Sequence, residues 1–187
     1  IQWSNIIGSA FASLTVTAPY ILFNGTNALL PPLSADAVVT FNANQIDIAG
    51  WTTLTNIGQA TFNSRGDIRL LPLQNGTTDG GRGLVGRLQS GGNFTFLAEN
   101  IYPATDTSFT ISSRATNSTI TFAYPTDGGP SHHVPLSAGG SLIVNATNIV
   151  QNGKIQAPFG AIPLNGTARV VLGAGSITSV SADGAVI

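Results

Sequence analysis

The chain has 187 residues, a formal net charge of −1 and 8% charged side chains, against about 25% in ordinary soluble domains. It is long enough for one sizeable core, and 42% hydrophobic residues with so little charge exclude a disordered chain. Seven scattered basic residues give no patch for nucleic acid, the lack of cysteine excludes a disulfide framework, and no apolar run approaches the roughly 18–20 residues of a membrane-spanning helix.

Read from the N-terminus, "IQWSNIIGSAF" has neither an initiator Met nor a basic leader segment. The runs that follow alternate with period two and are rich in β-branched and aromatic residues: "LTVTA" at 14–18, "VVTFNA" at 38–43, "ATFNS" at 60–64, "NFTFLA" at 93–98, "FTISS" at 109–113, "TITFAY" at 119–124, "LIVNA" at 142–146, "RVVLG" at 169–173 and "SITSV" at 176–180. Gly, Asn, Asp and Pro punctuate them, as in "QNGTTDGGRG", "TDGGP" and "SAGGS". Helical periodicity is almost absent, so the expected class is all-β. The least regular stretches, 72–92 and 124–138, are expected to be loop excursions.

Four runs share one pattern: apolar–x–apolar–x–Ala, two residues, then Ile. The sets are Leu14/Val16/Ala18/Ile21, Val39/Phe41/Ala43/Ile46, Phe94/Phe96/Ala98/Ile101 and Leu142/Val144/Ala146/Ile149. A weaker copy, "QATFNSRGDI", puts Ser64 in the alanine place with an extra residue before Ile68, as a bulge would. The repeat predicts a parallel β-helix in which Val16, Phe41, Phe96 and Val144 point inward and stack, with the alanines in one narrow interior corner. A β-sandwich is the alternative. Tyr20, Gln45, Asn100 and Asn148 precede the Ile, a place where Asn suits a left-handed turn and amide stacking. Apolar pairs continue to the C-terminus as Ile155/Ala157, Ile162/Leu164, Val170/Leu172 and Ile177/Val180, with no linker, so residues 1–187 read as one segment.

Chemistry is sparse. Hydrolysis of a glycoside needs two carboxyl groups about 5–10 Å apart. The acids are Asp36, Asp47, Asp67, Asp79, Glu99, Asp106, Asp127 and Asp183, of which Asp79, Asp127 and Asp183 sit beside Gly in expected turns. Asp47 and Glu99 occupy different positions of the repeat. Asp67 and Arg69, two apart on one strand, share a face and form the one candidate catalytic pair, with a surface ion pair as the plainer reading. His132 and His133 sit in a loop-like "PTDGGPSHHVP" near Asp127 but lack a third spaced metal ligand. No catalytic residue, metal or cofactor is therefore expected. N-x-Thr sequons occur at Asn24, Asn75, Asn93, Asn117, Asn145 and Asn165, and Asn24, Asn75 and Asn165, beside Gly, are candidate glycosylation sites.

"AENIYPAT" at 98–105, "LSAGGSL" at 136–142, "IVQNGKIQAPFG" at 149–160 and "SITSVSADG" at 176–184 resemble a domain of the C-terminal region of filamentous-haemagglutinin-type exoproteins of Gram-negative bacteria. The resemblance covers most of the chain and is strongest from 88 to 187. It implies a right-handed parallel β-helix, two-partner secretion through an outer-membrane transporter, and a secreted or cell-surface fibre. The expected function is a shaft segment of a fibrous adhesin, contributing to attachment or biofilm. Its expected partners are neighbouring coils of the same exoprotein and host or matrix glycans or proteins. The alternative is a carbohydrate-active β-helix enzyme or carbohydrate-binding module. The apolar start and the stop just after a turn near Asp183 predict a piece of a longer chain, with at least one uncovered end that associates end to end.

Overall fold

The computed structural model describes residues 2–3, 6–26, 36–73, 83–126 and 134–183. The strands are β1 (Gln2–Trp3), β2 (Ile6–Ile7), β3 (Ser13–Thr17), β4 (Tyr20–Thr26), β5 (Ala37–Ala43), β6 (Gln45–Thr55), β7 (Ile57–Ser64), β8 (Asp67–Leu71), β9 (Leu84–Ser90), β10 (Asn93–Leu97), β11 (Asn100–Pro103), β12 (Thr107–Ser113), β13 (Thr119–Ala123), β14 (Ser141–Asn152), β15 (Lys154–Gln156), β16 (Leu164–Leu172) and β17 (Ile177–Ser179). Among the described residues there is no helix, and all 17 strands join one sheet. Every strand pairing is parallel, which excludes the antiparallel pairing of a sandwich and is compatible with a β-helix or solenoid.

The pairings sort the strands into three ladders. The first joins β3, β5, β7, β10, β13 and the later halves of β14 and β16. The second joins β1, β4, the first half of β6, β8, β11, β15 and β17. The third joins β2, the end of β6, β9, β12 and the first parts of β14 and β16. Among the described residues the chain visits them in that order with two exceptions: β4 is followed by β5, and β2 pairs directly with β6; β13 is followed by β14, and β11 pairs directly with β15. A short circuit takes 21 residues, as between the bonded Asn42 and Asn63, and a longer one takes 36, as between the paired Thr53 and Gln89.

Period-two alternation sends alternate side chains into a shared interior. Val16, Phe41, Phe62, Phe96 and Phe122 lie in register down the first ladder. Phe41 and Phe62 have centroids 5.3 Å apart, Phe62 and Phe96 5.2 Å, and Phe96 and Phe122 5.3 Å, all stacked. Ile21, Ile46, Ile68, Ile101 and Ile155 form the matching row of the second ladder and are all buried. Ala43, Ser64 and Ala98 line the buried corner between these two ladders. Ser64 fits there because its hydroxyl donates to the carbonyls of Asn44 (3.1 Å) and Asp67 (2.9 Å). In the third ladder Gly86 leaves room for a ring: a Cβ there would lie 2.4 Å from Phe109 Cδ2. On the outside of the first ladder, Thr15, Thr40, Thr61, Thr95 and Thr121 form one row.

Several expectations are corrected. The fourth copy points inward at Val144, which is fully buried, but it lies in the third ladder and pairs with Ile111, not beneath Phe96. Its Ile149 pairs with Ile120 in the first ladder. Among the described residues no second-ladder strand falls between β13 and β14, and β11 pairs directly with β15, so the pattern is shifted by one face. The extra residue before Ile68 makes no bulge; it sits in the corner, where Arg65 and Gly66 donate to Ala43 and Asn44, and Ile46 still pairs with Ile68. Residues 84–90, expected within the first loop excursion, form β9. Among the described residues the left-handed positions other than glycine are Phe11, Asn56, Asp106, Asn117 and Phe159, at the other two corners, and none is a residue preceding an anchor Ile. Near the C-terminus Ile155 and Ala157 are buried, Ile162 and Leu164 pack against the core, and Val170, Leu172, Ile177 and Val180 are exposed.

Candidate functional site

The outer face of the second ladder holds the densest polar chemistry. The residue after each anchor Ile points outward: Leu22, Asp47, Arg69 and Tyr102 stand in one register row. The residues before the anchors, Tyr20 and Gln45, are paired in a second row, and Asn100 pairs with Asp67 there. Ile101 pairs with Ile155, which brings Lys154 and Gln156 alongside.

Asp47 is the hub. It is 2% exposed, yet its carboxylate accepts four hydrogen bonds. Arg69 donates from Nε to Oδ1 at 2.8 Å and from Nη2 to Oδ2, a bidentate pair. Tyr20 donates its hydroxyl to Oδ2 at 2.7 Å, and Gln45 donates to Oδ1 at 3.2 Å. Burial pushes the Asp47 carboxyl up, but the hydrogen bonds from Arg69, Tyr20 and Gln45 outweigh it and hold the group below its ordinary value. Tyr20 is pushed up to about 12, by burial first and then by its bond to Asp47. Tyr102 donates to Asp67 Oδ2 at 3.1 Å and is raised by burial and by that carboxylate. Lys154 is buried, which lowers its ammonium against the opposing pull of Asp67. Asn100 donates to Gln156 Oε1 at 2.9 Å, not to another asparagine. The asparagine ladders lie elsewhere, between Asn63 and Asn42 (3.0 Å) and between Asn165 and Asn145 (2.9 Å).

The expected Asp67/Arg69 pair does share one face, but Arg69 is bonded to Asp47 on the neighbouring circuit and Asp67 is bonded by Tyr102. Asp47 is therefore not isolated from the basic residues. A carboxyl held in its charged form with every lone pair occupied is the reverse of a general acid. Glu99 lies at the corner between the first and second ladders, facing the same opening as Arg65. Asp106 is a left-handed corner residue, and Asp36 and Asp183 are exposed. Asn24 and Asn165, expected in turns, lie within β4 and β16. Asn75, Asp79, Asp127, His132 and His133 lie outside the described residues. Among the described residues no group of three or more His, Cys, Asp or Glu side chains is placed to hold a metal.

Tyr20, Gln45, Tyr102 and Lys154 were not singled out as site residues. Part of the signal for the hub row is in the sequence: the position following Ile21, Ile46, Ile68 and Ile101 reads Leu, Asp, Arg and Tyr. Comparison with protein-family models, with curated proteins and with solved structures gives no significant match to this chain.

Proposed function

We propose that this chain is a shaft segment of a secreted or cell-surface fibrous adhesin of a Gram-negative bacterium, of the filamentous-haemagglutinin type, wound as a right-handed parallel β-helix. The observation that carries the reading is the continuity of the three ladders over one apolar interior. Each circuit bonds to the next through backbone groups in three directions, so tension and bending are shared by many parallel hydrogen bonds. Neighbouring circuits of the same exoprotein are its main partners, and an outer-membrane transporter handles its export. Antibodies raised against the purified chain are expected to label fibres on or shed from the producing cells. Label confined to the cytoplasm, or unchanged by deleting the outer-membrane transporter, contradicts the reading.

One observation favours a carbohydrate-active or carbohydrate-binding protein as a second reading. Asp47, Asp67, Arg69 and Lys154 gather on one outer face instead of scattering. The occupied carboxylate of Asp47 weighs against the enzymatic half. Arrayed polysaccharides are expected to remain uncut, with and without calcium; cleavage abolished by Asp67→Ala restores the enzyme.

A further inference from the structure

The corner between the first and second ladders is an open groove of about 800 Å³, within the range of ligand sites. Thr17, Asn42, Asn44, Asn63, Arg65 and Glu99 line it, with Pro19 at one end. Pro125 and Thr126, just after β13, also line it. The groove crosses successive circuits, so its corner residues recur at the strand spacing of about 4.8 Å.

The lining is chemically specific. Asn63 donates one amide hydrogen to Asn42 Oδ1 at 3.0 Å, and because each amide carries two donor hydrogens and a carbonyl acceptor, the pair brings both donors and acceptors to the groove. That pairing matches adjacent hydroxyl groups, each of which donates and accepts. Arg65 and Glu99 make no ion pair among the described residues, and as one cation and one anion they leave the groove without net charge.

We propose that this groove binds an extended, uncharged, β-linked hexose polymer running along the stack, with one sugar beside each circuit. An extended β-linked hexose chain advances by nearly the strand spacing per residue, so hydroxyls and amides stay in phase. The proposal rests on the binding half of the second reading and is independent of the shaft reading.

The test is calorimetric titration of the intact chain with cellobiose, cellotetraose, cellohexaose and mannohexaose, with polygalacturonate as the charged comparison. Affinity is expected to rise from the disaccharide to the tetrasaccharide and then level off. Asn44→Ala and Arg65→Ala, both at exposed positions, are each expected to weaken binding about tenfold with unchanged melting. Binding lost only in Arg69→Ala overturns the groove while leaving the carbohydrate reading on the second ladder. Binding of polygalacturonate alone overturns the uncharged ligand. No binding by any of these saccharides overturns both the groove and the carbohydrate reading.

Discussion

Replacing Phe62 by alanine removes the centre of the aromatic stack. Its ring stacks on Phe41 and on Phe96, meets Phe23 edge-on at 5.2 Å and lies 6.2 Å from Phe94. Burying a phenyl side chain of about 150–250 Å² at about 25 cal/mol per Å² is worth roughly 4–6 kcal/mol as an upper bound. Measured Phe→Ala costs in cores run about 3–5 kcal/mol, less where the site collapses. Here collapse is resisted, because β5, β7 and β10 are held at fixed spacing by their ladder bonds. We therefore expect a loss of about 4–5 kcal/mol for Phe62→Ala. Its strand neighbour Thr61 faces outward, and Thr61→Ala is expected to cost under about 0.5 kcal/mol. Urea unfolding followed by far-ultraviolet circular dichroism and by Trp51 fluorescence measures both. A Phe62→Ala loss no greater than that of Thr61→Ala refutes the inward row and the register that defines it.

Val144→Asp puts an unpaired charge against Ile111 and Leu164, and is expected to cost several kcal/mol in the same assay. Asp47→Asn breaks the bidentate pair and is expected to cost about 2 kcal/mol at neutral pH, below the range for a wholly buried pair because the Arg69 side chain is 39% exposed. Because the folded state lowers the Asp47 pKa below 3.8, its contribution is fully present above that value and is lost as pH falls through the folded pKa. Urea midpoints taken downward from pH 5 are expected to fall more steeply in the parent than in Asp47→Asn, and parallel curves would contradict this. Val170 and Leu172 continue the inward row of Ile149 and Gln151 yet are exposed, so the chain is expected to associate with weak salt dependence. Sedimentation at rising concentration reads this out, and a strict monomer contradicts it.

The sequence and the fold agree where the repeat keeps its phase. Leu14/Val16, Val39/Phe41, Ala60/Phe62 and Phe94/Phe96 fall in one ladder because each of their strands is followed directly by a second-ladder strand, β4, β6, β8 or β11. The Leu142/Val144 copy departs because an inward strand reads the same on any face. Apolar alternation ending in Ala identifies a strand running into a corner; it does not say which corner, and the direct pairing of β11 with β15 leaves no mark in the sequence. The site was legible in its residue types and not in its partners. Asp67 and Arg69 share a face, as their spacing dictates, but Arg69 reaches Asp47, 22 residues away. That contact needs the stacking register, which aligns the residue after Ile46 with the residue after Ile68. Asn100 illustrates a second limit: its amide lies in a row with Asp67 and beside Lys154, so asparagines repeating in the sequence did not become a ladder in space.

The central claim is that consecutive circuits stack in parallel, one strand spacing apart and in the stated register. The chain has no cysteine, so a designed pair reports without interference. Thr61 and Thr95 are outward, in register and on adjacent strands, with Cα atoms about 4.8 Å apart, inside the window a disulfide requires. Thr61 and Thr121 are separated by two spacings, about 9.6 Å, which is outside that window. Under mild oxidation, intact-mass measurement of the monomer fraction is expected to show an intramolecular disulfide in Thr61→Cys/Thr95→Cys and free thiols in Thr61→Cys/Thr121→Cys. Free thiols in the first variant, or equal closure in both, contradict the stack.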